Sequence, residues 1–222
     1  MIAMKYKRYY LIILLAVISF LFTVARHIIT GRQTYYFLNW NLLLALIPLL
    51  VSLVISSGFV MRKPKILKAA LLVIWLVFFP NAPYIITDLY YLKNHPARMF
   101  WYDTITILLF AWTGLLAGFF SLDIIKDSLL SKLSRVKRIS VICGLLFICA
   151  FGIYLGRELR WNTWEIFIEP RYFFLDVIKR FINPIGHRKT WGFTFLMGTF
   201  LNITYWTLKI GFRVQGLGNK DR

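Results

Sequence analysis

The chain has 222 residues, of which 59% are hydrophobic and 18% aromatic, yet its formal net charge is +18. Soluble domains run near half apolar and a quarter charged, whereas only 16% of these residues are charged. The composition excludes a disordered chain, which needs low hydrophobicity, and an ordinary soluble core; it predicts an all-α, polytopic membrane helix bundle.

The charge is not arranged for nucleic acid, which requires basic residues gathered on one soluble face. The cations fall in bursts between apolar runs: Lys5, Lys7 and Arg8; Arg62, Lys63, Lys65 and Lys68; Lys126, Lys132, Arg135, Lys137 and Arg138; Lys209, Arg213, Lys220 and Arg222. Such bursts mark the cytoplasmic ends of membrane helices. The expected partner is the lipid bilayer, with anionic headgroups on the cytoplasmic side, and no nucleic acid.

In chain order, apolar runs near 9–29, 37–59, 66–86, 104–125, 139–157 and 191–212 predict six spans in one integral membrane domain, 1–222. Each is close to the roughly 20 residues a bilayer-crossing helix needs. The first run, after Lys5, Lys7 and Arg8, imitates a signal peptide, and Thr23-Val24-Ala25 resembles a cleavage site. An uncleaved anchor is the reading adopted, because the apolar run resumes at Ile28 and Ile29. Counting Lys and Arg places both termini in the cytoplasm. The basic segment 158–190 then falls outside, with short interfacial helices on that side. Tyr35, Tyr36, Trp40, Tyr84, Tyr90, Tyr91, Trp101, Tyr102, Trp161, Trp164 and Trp191 all fall at outer helix ends, as an aromatic belt would.

The fourth span divides by helical angle. Asp103, Thr106, Thr113, Gly114, Ala117, Gly118 and Ser121 share one arc, while Ile105, Leu108, Leu109, Trp112, Leu115, Leu116 and Phe119 lie opposite. The small and polar stripe is expected against other helices and the bulky stripe against lipid. Gly114 and Gly118, then Gly152 and Gly156 in the fifth span, form two GxxxG pairs suited to close helix packing.

Two stretches at the outer end carry the candidate chemistry. In Phe79-Pro80-Asn81-Ala82-Pro83-Tyr84-Ile85-Ile86-Thr87-Asp88-Leu89, two prolines remove backbone donors. Either this is a kinked helix exit, with Asn81 satisfying the freed backbone and Asp88 capping a short helix through Lys93, or it is a broken helix lining a site. In Gly156-Arg157-Glu158-Leu159-Arg160-Trp161-Asn162-Thr163-Trp164-Glu165, Asn162 and Glu165 have capping-box spacing, so a helix is expected to start there and run on past Pro170 through Asp176 and Lys179. Arg157, Glu158 and Arg160 read either as a snorkelling helix end or as a buried ion network. The expected outer polar cluster is therefore Asn81, Asp88, Asp103, Arg157, Glu158, Arg160 and Asn162, with Asp103 also serving as the N-cap of the fourth span.

Other acids on that side are Glu165, Glu169 and Asp176, and the outer histidines are His27, His95 and His187. No HExxH or CxxC spacing, nucleophile elbow or Walker loop occurs, so neither a metal nor a cofactor is expected. Cys143 and Cys149 are about 9 Å apart along a helix, too far to pair, and are expected to pack as small hydrophobes.

The runs FFPNAPYIITDL, WYDTITILLFAWTGLLAGF and GIYLGRELRWNTWE, in that order and spacing, resemble the domain-of-unknown-function 1361 family of predicted multi-pass bacterial membrane proteins. The resemblance covers roughly residues 40–210 and concentrates at Pro80, Asn81, Pro83, Thr87, Asp88, Asp103, Arg157, Arg160, Trp161 and Asn162. It implies a bacterial plasma-membrane location but assigns no activity and no site residues.

Three function classes follow. The reading adopted is a non-catalytic assembly or accessory protein, whose polar groups pair with one another while a glycine face meets a membrane-protein partner or a second copy. The alternatives are a small-solute or ion transporter or channel, with Asn81, Asp88, Asp103 and Arg157 lining one cavity, and a membrane-embedded enzyme using paired carboxylates or a carboxylate with Arg157.

Overall fold

The computed structural model describes the backbone of residues 2–57, 60, 64–94 and 99–218, with side chains over 8–57, 60, 64–93 and 99–211. His95, Arg62, Lys63, Lys220 and Arg222 lie outside the described residues, as do the side chains of Lys5, Lys7 and Arg213. Among the described residues every regular element is helical.

The elements are α1 (Ile2–Thr30), α2 (Tyr36–Ser56), α3 (Lys65–Phe78), the single turn α4 (Asn81–Tyr84), a 3₁₀ helix (Ile85–Asn94), α5 (Phe100–Leu129), α6 (Arg135–Glu158), the single turn α7 (Glu165–Ile168), α8 (Pro170–Ile182) and α9 (Arg188–Gly218). Five stretches are long and apolar enough to cross a membrane: Arg8–Thr30, Tyr36–Ser56, Lys65–Lys93, Phe100–Leu129 and Arg135–Glu158. The expected sixth span falls within α9. That helix has the length, but Arg188, Lys189 and a scatter of Thr, Gly and Asn dilute its apolar content.

The chain divides into two compact units, Met1–Leu130 and Ser131–Arg222. In the first, α5 is the central helix and packs against α1, α2, α4 and the 3₁₀ helix. Helix α1 presents Ile12, Ser19, Thr23 and Arg26 as its buried stripe, a helical spacing, and leaves Ile13, Leu14, Val17, Phe20 and Leu21 exposed. A core of Tyr35, Leu38, Leu42, Ala45, Ala82, Ile85, Ile107, Phe110 and Ala111 joins α2, α4 and α5. Deeper along α5, Trp75 stacks on Phe79 at 4.6 Å between ring centroids and donates its indole N–H to the Ser121 hydroxyl at 3.2 Å.

The small and polar stripe of α5 is buried throughout. The bulky stripe is not uniformly lipid-facing. Ile105, Leu108 and Trp112 are exposed, but Leu115, Leu116 and Phe119 are buried. A wheel assigns a helix one buried face; a central helix with neighbours on several sides keeps only part of the opposite face free.

The prolines explain the break after α3. Pro80 has no N–H for the Leu76 carbonyl, and Pro83 has none for Phe79. The Ala82 N–H turns to the Phe79 carbonyl at 3.2 Å, and the Phe78 carbonyl it would serve in a regular helix accepts the Asn81 side-chain amide at 3.0 Å. The 3₁₀ helix that follows already begins at Ile85, so Asp88 lies inside it and is not its cap.

In the second unit α6 packs along α9, and Gly198 of α9 takes the Phe147 ring directly against its backbone. Ser134 caps α6 through the Lys137 N–H. Both cysteines are free thiols; Cys149 is buried and Cys143 partly so. The helix expected to run from Asn162 past Pro170 is instead two helices. It breaks at Glu169 (φ −125°, ψ 55°), and Pro170 opens α8 at its first turn, where a missing N–H is harmless.

Candidate functional site: a buried ion-pair layer

The first unit buries an ion pair that no sequence motif announced. Arg26, in α1, donates from Nε to Asp103 Oδ1 at 2.5 Å and from Nη2 to Oδ2 at 3.0 Å. The side chains are 5% and 0% exposed, so the pair is desolvated on both sides. The forked guanidinium matches the carboxylate geometry and uses both of its oxygens. The guanidinium also stands 4.6 Å over the Tyr35 ring, a cation–π contact. Burial pushes the Tyr35 phenol well above its usual range; the Asp103 carboxylate adds to that push and Arg26 opposes it. Tyr102 closes the other side, stacking on Phe22 at 5.4 Å and donating its hydroxyl to the Phe22 carbonyl at 2.8 Å.

This layer is one rung of a ladder between α1 and α5. Below it the Ser19 and Thr113 hydroxyls meet at 3.4 Å. At the far end Arg8 lies 3.9 Å from Asp123, which also takes Lys126 at 2.8 Å, and Arg8 covers the Phe120 ring at 5.4 Å. From Arg8 to Arg26 an α-helix rises about 27 Å, and from Asp103 to Asp123 about 30 Å. Those lengths are one hydrocarbon thickness. The two helices are thus clamped by ion pairs at both ends of an apolar stretch of membrane length.

Asp103 is not the N-cap of its helix. Helix α5 begins at Phe100 and Met99 occupies the cap position, which places Asp103 in the first turn. A carboxylate there favours the positive end of the helix dipole as well as Arg26. Asp88 is also buried and accepts the Asn41 side-chain amide at 3.0 Å. One turn along α1, Thr23 accepts the Asn39 amide at 3.2 Å. Two members of the expected aromatic belt are therefore inner-shell residues of this layer: Tyr35 is 1% exposed, and Tyr102 is hydrogen-bonded to α1. Trp40, Tyr90, Tyr91 and Trp101 are exposed.

The glycines of α5 set the spacing of the layer's neighbours. A Cβ at Gly114 would lie 2.5 Å from the Ala82 carbonyl oxygen, and one at Gly118 would lie 2.7 Å from the Ala82 Cβ. The GxxxG pair therefore receives the proline-broken turn α4 of the same chain.

The seven expected cluster residues divide between the units. Asn81, Asp88 and Asp103 belong to the first; Arg157, Glu158, Arg160 and Asn162 belong to the second. Arg157 sits partly buried in the last turn of α6 and Glu158, its final residue, is exposed. Arg160 adopts φ 59°, the left-handed conformation that usually ends a helix at glycine. Asn162 donates its backbone N–H to Glu165 Oε2 at 2.6 Å and its side-chain amide to Oε1 at 3.2 Å. It is nevertheless not the cap of α7, which begins at Glu165 itself with Trp164 in the cap position. Gly152 and Gly156 are partly buried on α6. Among the described residues, no three His, Cys, Asp or Glu side chains gather as metal ligands.

Arg26 and Asn41 were not singled out by the sequence, and Tyr35 was placed only in the aromatic belt. The signal was nonetheless present for Arg26: it interrupts an apolar run that resumes at Ile28 and Ile29, and an ionisable residue at such depth needs a named partner. Asn41 carries no comparable mark, and nothing in the sequence marked Tyr35 as a buried neighbour of Arg26.

Helices of membrane-spanning length and apolarity, two of them joined by a buried ion pair, define a membrane-embedded helical protein. Residues 40–204 match the family model described as protein of unknown function (DUF1361), so the chain belongs to that family. No curated protein and no solved structure matches the chain.

Proposed function

We propose that this chain is a non-catalytic assembly or accessory protein of the bacterial plasma membrane, with six spans, both termini in the cytoplasm and the polar groups of each unit on the outer side. The observation that carries this reading is the Arg26–Asp103 pair. Both carboxylate oxygens are already taken by guanidinium N–H groups within a desolvated layer. A transport or acid–base role requires a carboxylate that exchanges partners or protons; a fixed, doubly bonded pair instead tethers α1 to α5. Because Gly114 and Gly118 are filled by Ala82 of the same chain, the glycine face we assign to a membrane-protein partner or a second copy is that of the partly buried Gly152 and Gly156 on α6. The positive bursts between spans favour the cytoplasmic ends proposed here.

The test uses membranes of the native host. The full chain, extracted in mild detergent, is run on native gels beside the double variant Arg26→Met with Asp103→Leu. An assembly role predicts a species heavier than the micelle-bound monomer, retained when the pair is replaced by apolar residues. A monomer under every extraction condition, or solute flux in proteoliposomes that the double variant abolishes, would overturn the proposal.

A further inference from the structure

Helix α8 (Pro170–Ile182) is folded inside out relative to a helix facing water. Its apolar residues Phe174, Leu175, Ile178, Phe181 and Ile182 are 42–78% exposed and lie within one arc of about 120° on the helix. On the opposite side Arg180 is turned into the unit, beside the partly exposed Asp176. Arg180 is 7% exposed, donates to the Asp176 carbonyl and lies 3.8 Å from the Asp176 carboxylate. The Trp161 indole N–H donates to Asp176 at 3.1 Å, and the Trp191 indole N–H donates to the Arg180 carbonyl at 3.2 Å. Water as the outer solvent would favour the reverse arrangement, because each exposed large side chain forgoes about 1.5–3 kcal/mol of burial.

The rim of this apolar face is basic. Arg171, on the first turn of α8, and Lys179, at the edge of the apolar arc, are exposed, as are Arg188 and Lys189 at the start of α9. Of the nearby acids, Glu165 is engaged by Asn162 and Asp176 by Trp161, and Glu169 is exposed. The same unit continues the apolar surface along α9, where Phe195, Leu196, Ile203 and Ile210 are exposed.

We infer that α8 is seated in the headgroup–acyl boundary of the bilayer, its apolar face against acyl chains and Arg171, Lys179, Arg188 and Lys189 on the phosphates of anionic phospholipids. Amphipathic helices bind in this way through apolar burial plus attraction to anionic lipid. The inference stands apart from the assembly role, since it concerns only what covers α8.

The experiment places a nitroxide on Ile178→Cys in a full-length chain carrying Cys143→Ser and Cys149→Ala, with Asn162→Cys as the water-facing control. The labelled chains are reconstituted in vesicles of phosphatidylglycerol with phosphatidylethanolamine, and in phosphatidylcholine alone. The label at position 178 is expected to collide with oxygen several-fold more than with a water-soluble nickel chelate, and the control to show the opposite order. Spin-labelled phosphatidylglycerol is expected to be immobilised at least about twofold more by the parent chain than by Lys179→Gln/Arg188→Gln/Lys189→Gln. Nickel access at 178 equal to the control would overturn the lipid seat, and protection from both reagents would assign the face to a protein contact instead. Equal immobilisation by the two chains would overturn the anionic rim. Resistance of the whole chain to carbonate extraction checks membrane insertion separately.

Discussion

Each unit carries an Arg–Asp pair, and the two are built differently. Arg26 and Asp103 are 77 residues apart, bidentate and shielded from solvent. Arg180 and Asp176 are neighbours on one helix at 3.8 Å, and the Asp176 side chain is 35% exposed. The first pair fixes how two helices meet, so its loss strands a charge in a low-dielectric layer. The second shapes one helix face, where solvent screens it. Equal chemistry therefore has unequal consequences, set by burial and by whether the pair closes a long loop.

The largest expected effect tests that contrast directly. Asp103→Leu leaves Arg26 buried without its carboxylate and should cost about 3–5 kcal/mol in stability, while adding Arg26→Met should recover most of it. Thermal unfolding of the purified chain in detergent measures both. A double variant no more stable than the single one would show that the pair does more than neutralise itself. Next, Gly114→Leu should cost about 3 kcal/mol or more, because the atom it meets is the Ala82 backbone carbonyl, which has no rotamer to move to. Melting close to the parent would mean that α4 can shift away from α5.

In the second unit Asp176→Ala should cost only about 1 kcal/mol. A loss as large as that of Asp103→Leu would erase the distinction between the pairs. The smallest effect has the opposite sign. Arg160→Gly relieves the left-handed φ of 59° and should raise stability by up to about 1 kcal/mol. A lower melting temperature would show that the Arg160 side chain holds the turn.

Much of the local structure was legible because it depends on short-range chemistry. Pro80 and Pro83 remove donors at known positions, so the break after α3 and the rescue by Asn81 follow from covalent structure. Asn162 and Glu165 are three residues apart, and their mutual hydrogen bonds follow from that spacing, although the helix itself starts only at Glu165. The burial of Thr106, Thr113 and Ser121 on one side of α5 follows from helical period. The same reasoning misplaced the lipid face beyond Leu115, because period gives one face of a helix and not how many neighbours it has. It also joined α7 to α8 across Glu169, where the chain breaks so that Pro170 can open a new helix.

By itself, then, the sequence determined a helical membrane chain: apolar runs of bilayer length, with cations between them, leave the backbone no other way to satisfy its polar groups in lipid. Tertiary structure alone decided which charges meet. Arg26 and Asp103 become partners only because α1 and α5 pack side by side, and the same packing places Tyr35 over the guanidinium and Ala82 in the Gly114 groove. Pairing across 77 residues leaves no periodicity or spacing to read in a sequence, since it depends on where whole helices come to rest.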